Sequence, residues 1–169
     1  AHAVGEIIGA GIVPAALELM DQASDLIRRS SQGVSWEHAL FEMWSLAALA
    51  QLGRFKELRE RAQQTMRDAE QRDDRYLTRN CCLGQATLAW LAEDRADWAM
   101  KMAERAIAWS PEEYTTQHYH HYLTSAQALL YKGDVAAADE RSVREWPRLK
   151  DNLFLGAPCV RDELLHLRG

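Results

Sequence analysis

The chain has 169 residues, 47% of them hydrophobic and 27% charged, with 20 basic against 25 acidic side chains. That is one domain's length and an ordinary globular composition. The net charge of −5 lacks the basic excess of a nucleic-acid face, no apolar run reaches the roughly 18 residues of a membrane span, and three cysteines make no disulfide framework and point to a reducing, cytoplasmic setting.

Helix formers dominate, and the scarce breakers (4 Pro and 9 Gly) divide the chain into helices. Residues 1–13 read as an apolar lead-in punctuated by Gly5, Gly9 and Gly11. A helix is predicted over 14–31, where Pro14 suits the first turn and Leu17, Met20, Ala23 and Ile27 recur at helical spacing. Gly33 closes it, and Ser35 caps the next helix, over 36–52. This one is apolar nearly all round (Trp36, Leu40, Phe41, Met43, Trp44, Leu46, Leu49), as a helix buried on more than one side must be. After Gly53, residues 54–72 carry a single apolar stripe (Phe55, Leu58, Ala62, Met66, Ala69). The interleaved Arg, Glu and Asp residues around it read as a solvated face with i,i+4 pairs.

Asp73 and Asp74 break the chain again. An apolar helix over 76–91 follows, then a turn at Glu93 and Asp94, then an amphipathic helix over 95–109 that Pro111 stops. An apolar helix over 114–131 is separated by Gly133 from a helix over 135–149, with Trp146 and Pro147 near its end or kinking it. The last helix spans 152–168, interrupted by Gly156 and Pro158.

These segments repeat. The turn residues Gly53, Asp94 and Gly133 stand 41 and 39 residues apart, each after an apolar helix and before a more polar one. Ala62, Ala103 and Ser142 follow the turns at one common offset. A period near 40 residues in helix-turn-helix units predicts an all-α fold, a short α-solenoid of about three helical hairpins with flanking helices in a right-handed superhelix. The domain reading is a lead-in over 1–13 and one helical-repeat domain over 14–169. In such a stack the apolar helices are the inner ones, lining a concave face.

The turn glycines, small packing residues and Pro111 resemble tetratricopeptide-like repeats. A narrower resemblance rests on Gly33-Val34-Ser35-Trp36-Glu37, Trp44, Leu52-Gly53, Leu88-Ala89-Trp90-Leu91-Ala92, Gln117-His118-Tyr119, Tyr131-Lys132-Gly133-Asp134, Glu145-Trp146-Pro147 and Glu163-Leu164-Leu165-His166-Leu167-Arg168. In order and spacing, these are similar to the C-terminal helical-repeat region of bacterial Hanks-type serine/threonine protein kinases. The resemblance covers about residues 33–168 and implies a regulatory or docking region carried behind a kinase, the chain being a fragment of a longer one. It implies no kinase activity here, since no glycine-rich phosphate loop, strand lysine, His-Arg-Asp or Asp-Phe-Gly is present.

Other chemistry is thin. His118 and His121 share one helix face and His120 points away, so at most two could ligate one ion where zinc takes three or four ligands. Cys81 and Cys82 are adjacent, diverge by ~100° on a helix, and read as core. Gly5, Gly9 and Gly11 precede Pro14 without the strand a dinucleotide loop needs. The six tryptophans read as wedges between stacked helices. His38 and Cys159 have no reason to be joined. No catalytic residue, metal or cofactor is expected. The function expected is a non-catalytic protein-interaction and regulatory module that binds a peptide or helix on its concave face. Glu37, Gln51, Arg79, Asn80, His120 and Gln127 are the candidate contact residues, because polar groups on nearly buried helices need partners. The alternatives are a small-molecule sensor domain of a signalling or transcription regulator and a self-association module.

Overall fold

The computed structural model describes residues 13–30, 35–108 and 113–168, and every regular element among them is a helix. The lead-in glycines, Gly33, Val34, Trp109 and Pro111 lie outside the described residues. The chain forms two compact units, Ala1–Cys81 and Cys82–Gly169.

The first unit contains α1 (Val13–Ser30), α2 (Ser35–Gln51), α3 (Phe55–Gln71) and the short α4 (Arg75–Asn80). The helices pack in sequence, α1 on α2, α2 on α3 and α3 on α4. Met20 from α1, Leu46 and Leu49 from α2, Leu58 and Ala62 from α3 and Leu77 from α4 are all buried. That is what the apolar stripes require, because apolar area removed from water is the main force holding short helices together.

The second unit begins with a 3-10 turn, Gly84–Thr87, followed by α5 (Leu88–Leu91), α6 (Ala96–Ile107), α7 (Thr116–Tyr131) and α8 (Val135–Asp151). A further 3-10 turn, Phe154–Gly156, leads into α9 (Pro158–Arg168). Helix α7 packs against both α6 and α8, with Tyr122, Leu123, Leu149 and Leu164 fully enclosed.

The turns share one backbone geometry. At Gly53, Asp73, Asp94 and Gly133 the backbone is left-handed, with φ of 67°, 53°, 59° and 79°. After each, an N–H reaches back five residues: Arg54 to Leu49, Asp74 to Ala69, Arg95 to Trp90 and Asp134 to Leu129, all at 2.8–3.0 Å. This is the helix-ending motif in which a left-handed residue lets the last carbonyls be satisfied. Asp74 and Asp134 then cap the next helix, each accepting from an N–H three residues on. The small residues that follow the turns, Ala62, Ala103 and Ser142, are all buried.

Three expectations are corrected. Residues 76–91 do not form one helix: α4 ends at Asn80, Leu83 is extended and Gly84 is left-handed at φ 63°. Its N–H donates to Thr124 Oγ1 at 2.8 Å, a tertiary bond that an unbroken helix would forgo. Pro147 lies within α8 close to its end, as expected, and it is exposed there, where water can serve the carbonyl a proline leaves unpaired. The last helix starts at Pro158, not 152, consistent with proline's preference for a first turn. Trp36 and Trp98 are not core wedges but are 55% and 38% exposed. Trp36 leans on Tyr76, and Arg95 and Lys101 lie over the Trp98 ring.

Candidate functional site

A cleft of about 370 Å³ opens in the first unit, lined by side chains of α1, α2 and α3. Its floor is set by Glu42, a carboxylate in the packed middle of the mostly apolar α2 that is only 5% exposed. A buried carboxylate must be paired or neutralised. Here Arg61 of α3 donates from Nε to Glu42 Oε2 at 3.1 Å and from a terminal nitrogen to Oε1 at 3.4 Å. Thr65, one turn on, donates its hydroxyl to Oε2 at 3.2 Å. Burial alone would push the Glu42 carboxyl up. The Arg61 charge and hydrogen bonds, His38 and Thr65 outweigh it and hold the group below the ordinary glutamate range.

Arg61 also reaches Asp21 of α1 at 2.5 Å, so one guanidinium ties three helices. Burial would lower its affinity for the proton, but the two carboxylates raise it. Around this pair the cleft is lined by Asp25, His38, Gln64, Asp68 and Arg72, with Gln64 donating to Asp68 at 2.7 Å. The lining is therefore charged and polar, with four carboxylates against two guanidiniums. A site of this kind recognises by ion pairing and hydrogen bonding. Among the described residues no three His, Cys, Asp or Glu side chains converge to hold a metal ion.

None of the six residues singled out from the sequence lines this cleft. Glu37 and Gln51 are both exposed, in the first turn and at the last residue of α2, about 20 Å apart along the axis. Arg79 and Asn80 sit on α4. Asn80 is buried, its Nδ2 donating to the Tyr76 carbonyl at 2.8 Å, while Asn80 Oδ1 and Arg79 Nε are enclosed without a hydrogen-bond partner. In the second unit, His120 and Gln127 lie two turns apart on the same side of α7, and Gln127 Oε1 is likewise enclosed without a partner. The His120 ring fills a crevice beside Tyr119 and Gly84, and burial drives its pKa down to about 4.

The neighbouring histidines have structural work. His118 Nδ1 accepts from the Thr115 N–H at 3.1 Å and closes the start of α7. Arg141 can only donate, so His121 Nδ1 accepts from it at 3.1 Å, and His121 Nε2 carries the proton it gives to Glu104 at 3.0 Å. Cys81 and Cys82 are both buried; the Cys159 side chain lies outside the described residues.

What the sequence reading missed is Glu42. It is a charge on a helix whose neighbours are Trp, Leu, Met and Ala, and such a charge announces a buried pair. Its partner Arg61 stands in a run of charges that reads as a solvated face. It leaves that face for a tertiary contact 19 residues away. No protein-family profile, no curated protein and no solved structure matches this chain. No helix among the described residues is long and apolar enough to cross a membrane.

Proposed function

We propose that the chain is a non-catalytic interaction module, a tetratricopeptide-like stack of helical hairpins that docks a segment of a partner protein. The observation behind this reading is the polar cleft of the first unit, built over the Glu42–Arg61 pair on three helices. A site carried on packed helices is held rigid, which lowers the ordering cost of binding. The excess of carboxylates in its lining favours a partner segment that offers a lysine or arginine, in keeping with the net charge of −5.

A small-molecule sensor is the second reading. The cleft volume falls in the usual range for such sites, but ligand pockets are mostly apolar and this lining is charged. The resemblance to kinase C-terminal regions adds that the parent is a cytoplasmic bacterial serine/threonine kinase with this module in a regulatory role. An in-frame kinase domain encoded 5′ of the Ala1 codon supports that addition; a start codon or another domain there removes it and leaves the docking proposal standing.

The test is to pan a displayed library of random 12-residue peptides on the full chain. Enriched peptides that carry a basic residue, bind saturably and bind an Asp68→Lys chain of unchanged helicity at least tenfold more weakly support the reading. No enrichment, or peptides indifferent to that substitution, contradicts it.

A further inference from the structure

Of the six left-handed residues among those described, three are glycines and two are aspartates, the types that tolerate this backbone. The sixth is Leu153, at φ 61°, with 82% of its surface exposed. A leucine there is strained by the contact of its Cβ with the following carbonyl, and its exposed side chain gains little from burial in return. Leu153 joins α8 to everything that follows.

The following segment makes a separable set of contacts. Phe154, Val160, Leu164 and Leu167 pack as a plug on a seat formed by α7 and α8, in which Tyr119, Leu123 and Leu149 are buried. Val160, Leu164 and Leu167 recur at i, i+4 and i+7, the spacing of a helix laid into a groove. Between them Glu163 is fastened at both oxygens, Oε1 accepting from Gln85 Nε2 and Oε2 from the Tyr119 hydroxyl. The seat is too apolar to stand open to water, so whatever removes the plug must supply another of the same chemistry.

We propose that the segment 154–168 is exchangeable: by straightening at Leu153 it leaves its own seat and fills the identical seat of a second copy of this chain. Every plug contact is conserved in the exchanged pair, Glu163 meeting Gln85 and Tyr119 of the other copy. Release of the Leu153 backbone is the gain that closed monomers do not have, and a short, strained hinge is the known setting for such exchange. This inference goes beyond the docking proposal and fails independently of it, since the cleft belongs to the first unit and the plug to the second.

The test is light scattering of the full chain over a concentration series, with two hinge substitutions of opposite sign. Proline cannot adopt φ 61°, so Leu153→Pro is expected to give a folded dimer, its dissociation constant at least a hundredfold below the wild type's. Leu153→Gly relieves the strain in place and is expected to weaken dimerisation about tenfold. Adding Leu164→Ala to Leu153→Pro spoils the plug and should abolish the dimer. A Leu153→Pro chain that stays monomeric, folded or not, overturns the proposal, as does a dimer that survives Leu164→Ala.

Discussion

Arg61 donates from Nε to Glu42 Oε2 at 3.1 Å across 19 residues of sequence, joining α3 to a carboxylate on the most apolar helix of the first unit. The pair lies beneath a cleft, with the Glu42 and Arg61 side chains 6% and 21% exposed. Removing one partner leaves an uncompensated charge. Glu42→Ala or Arg61→Ala is expected to destabilise the chain by about 3 kcal/mol, while the double replacement by leucine costs under about 1 kcal/mol. Urea unfolding of the three variants measures this, and additive losses would contradict the pairing.

The same carboxylate sets an acid limit. Its pKa is lowered in the folded chain, so the folded state binds fewer protons than the unfolded one near the ordinary value of 4.5. The stabilisation is present above that value and is lost as pH falls through the lower folded value. Glu42→Gln should flatten this part of the stability-versus-pH curve.

His120 acts higher on the pH scale. Burial takes it from 6.5 to about 4, so it is neutral in the folded chain and must charge on unfolding. Its contribution is complete above pH 6.5 and is lost as pH falls from 6.5 towards 4, a change of about 3 kcal/mol for one such group. His121 is shifted the same way, by burial and by Arg141 against the opposing Glu104. His120→Gln, of similar size and without a proton to gain, should remove much of that slope in thermal melts between pH 7 and 4. An unchanged slope would show that His120 is solvated.

The left-handed glycines separate two costs. Gly53 and Gly133 have φ of 67° and 79°, and an added Cβ would meet nothing within 4 Å. Alanine there should cost about 1 kcal/mol from the backbone alone. At Gly84, φ is 63° and the added Cβ would stand 3.1 Å from Cγ of the half-buried His120 ring. Gly84→Ala should therefore cost clearly more, about 2 kcal/mol or above, with the His120 resonances displaced. Equal losses at the three positions would contradict the close approach.

The turns were legible because a left-handed residue demands glycine or a short polar side chain, and Gly53, Asp94 and Gly133 announce themselves at regular spacing. The stripes of Leu58, Ala62 and Ala69 in α3, and of Leu17 and Met20 in α1, likewise give away their buried faces. Breaks made by tertiary bonds are a different matter. Nothing local distinguishes Gly84 from any other glycine within an apolar run; its role comes from Thr124, 40 residues away. Leu153 is harder still, since its side chain argues against the backbone it adopts.

The site was hidden for the same reason. Glu37 and Gln51 also interrupt an apolar helix, but they stand at the exposed ends of α2, whereas Glu42 lies on its packed middle. Which interruption is buried depends on the neighbouring helices, and spacing within one helix does not encode that.

The proposed docking seats a partner segment in the first-unit cleft. The most direct measurement is amide and side-chain chemical-shift mapping on the isotopically labelled 169-residue chain as a library-selected basic peptide is added. Docking there gives saturable shifts greatest at Asp25, His38, Gln64 and Asp68, around the Glu42–Arg61 pair. Shifts that gather in the second unit or along the exposed ends of α2, or that fail to saturate, would contradict it.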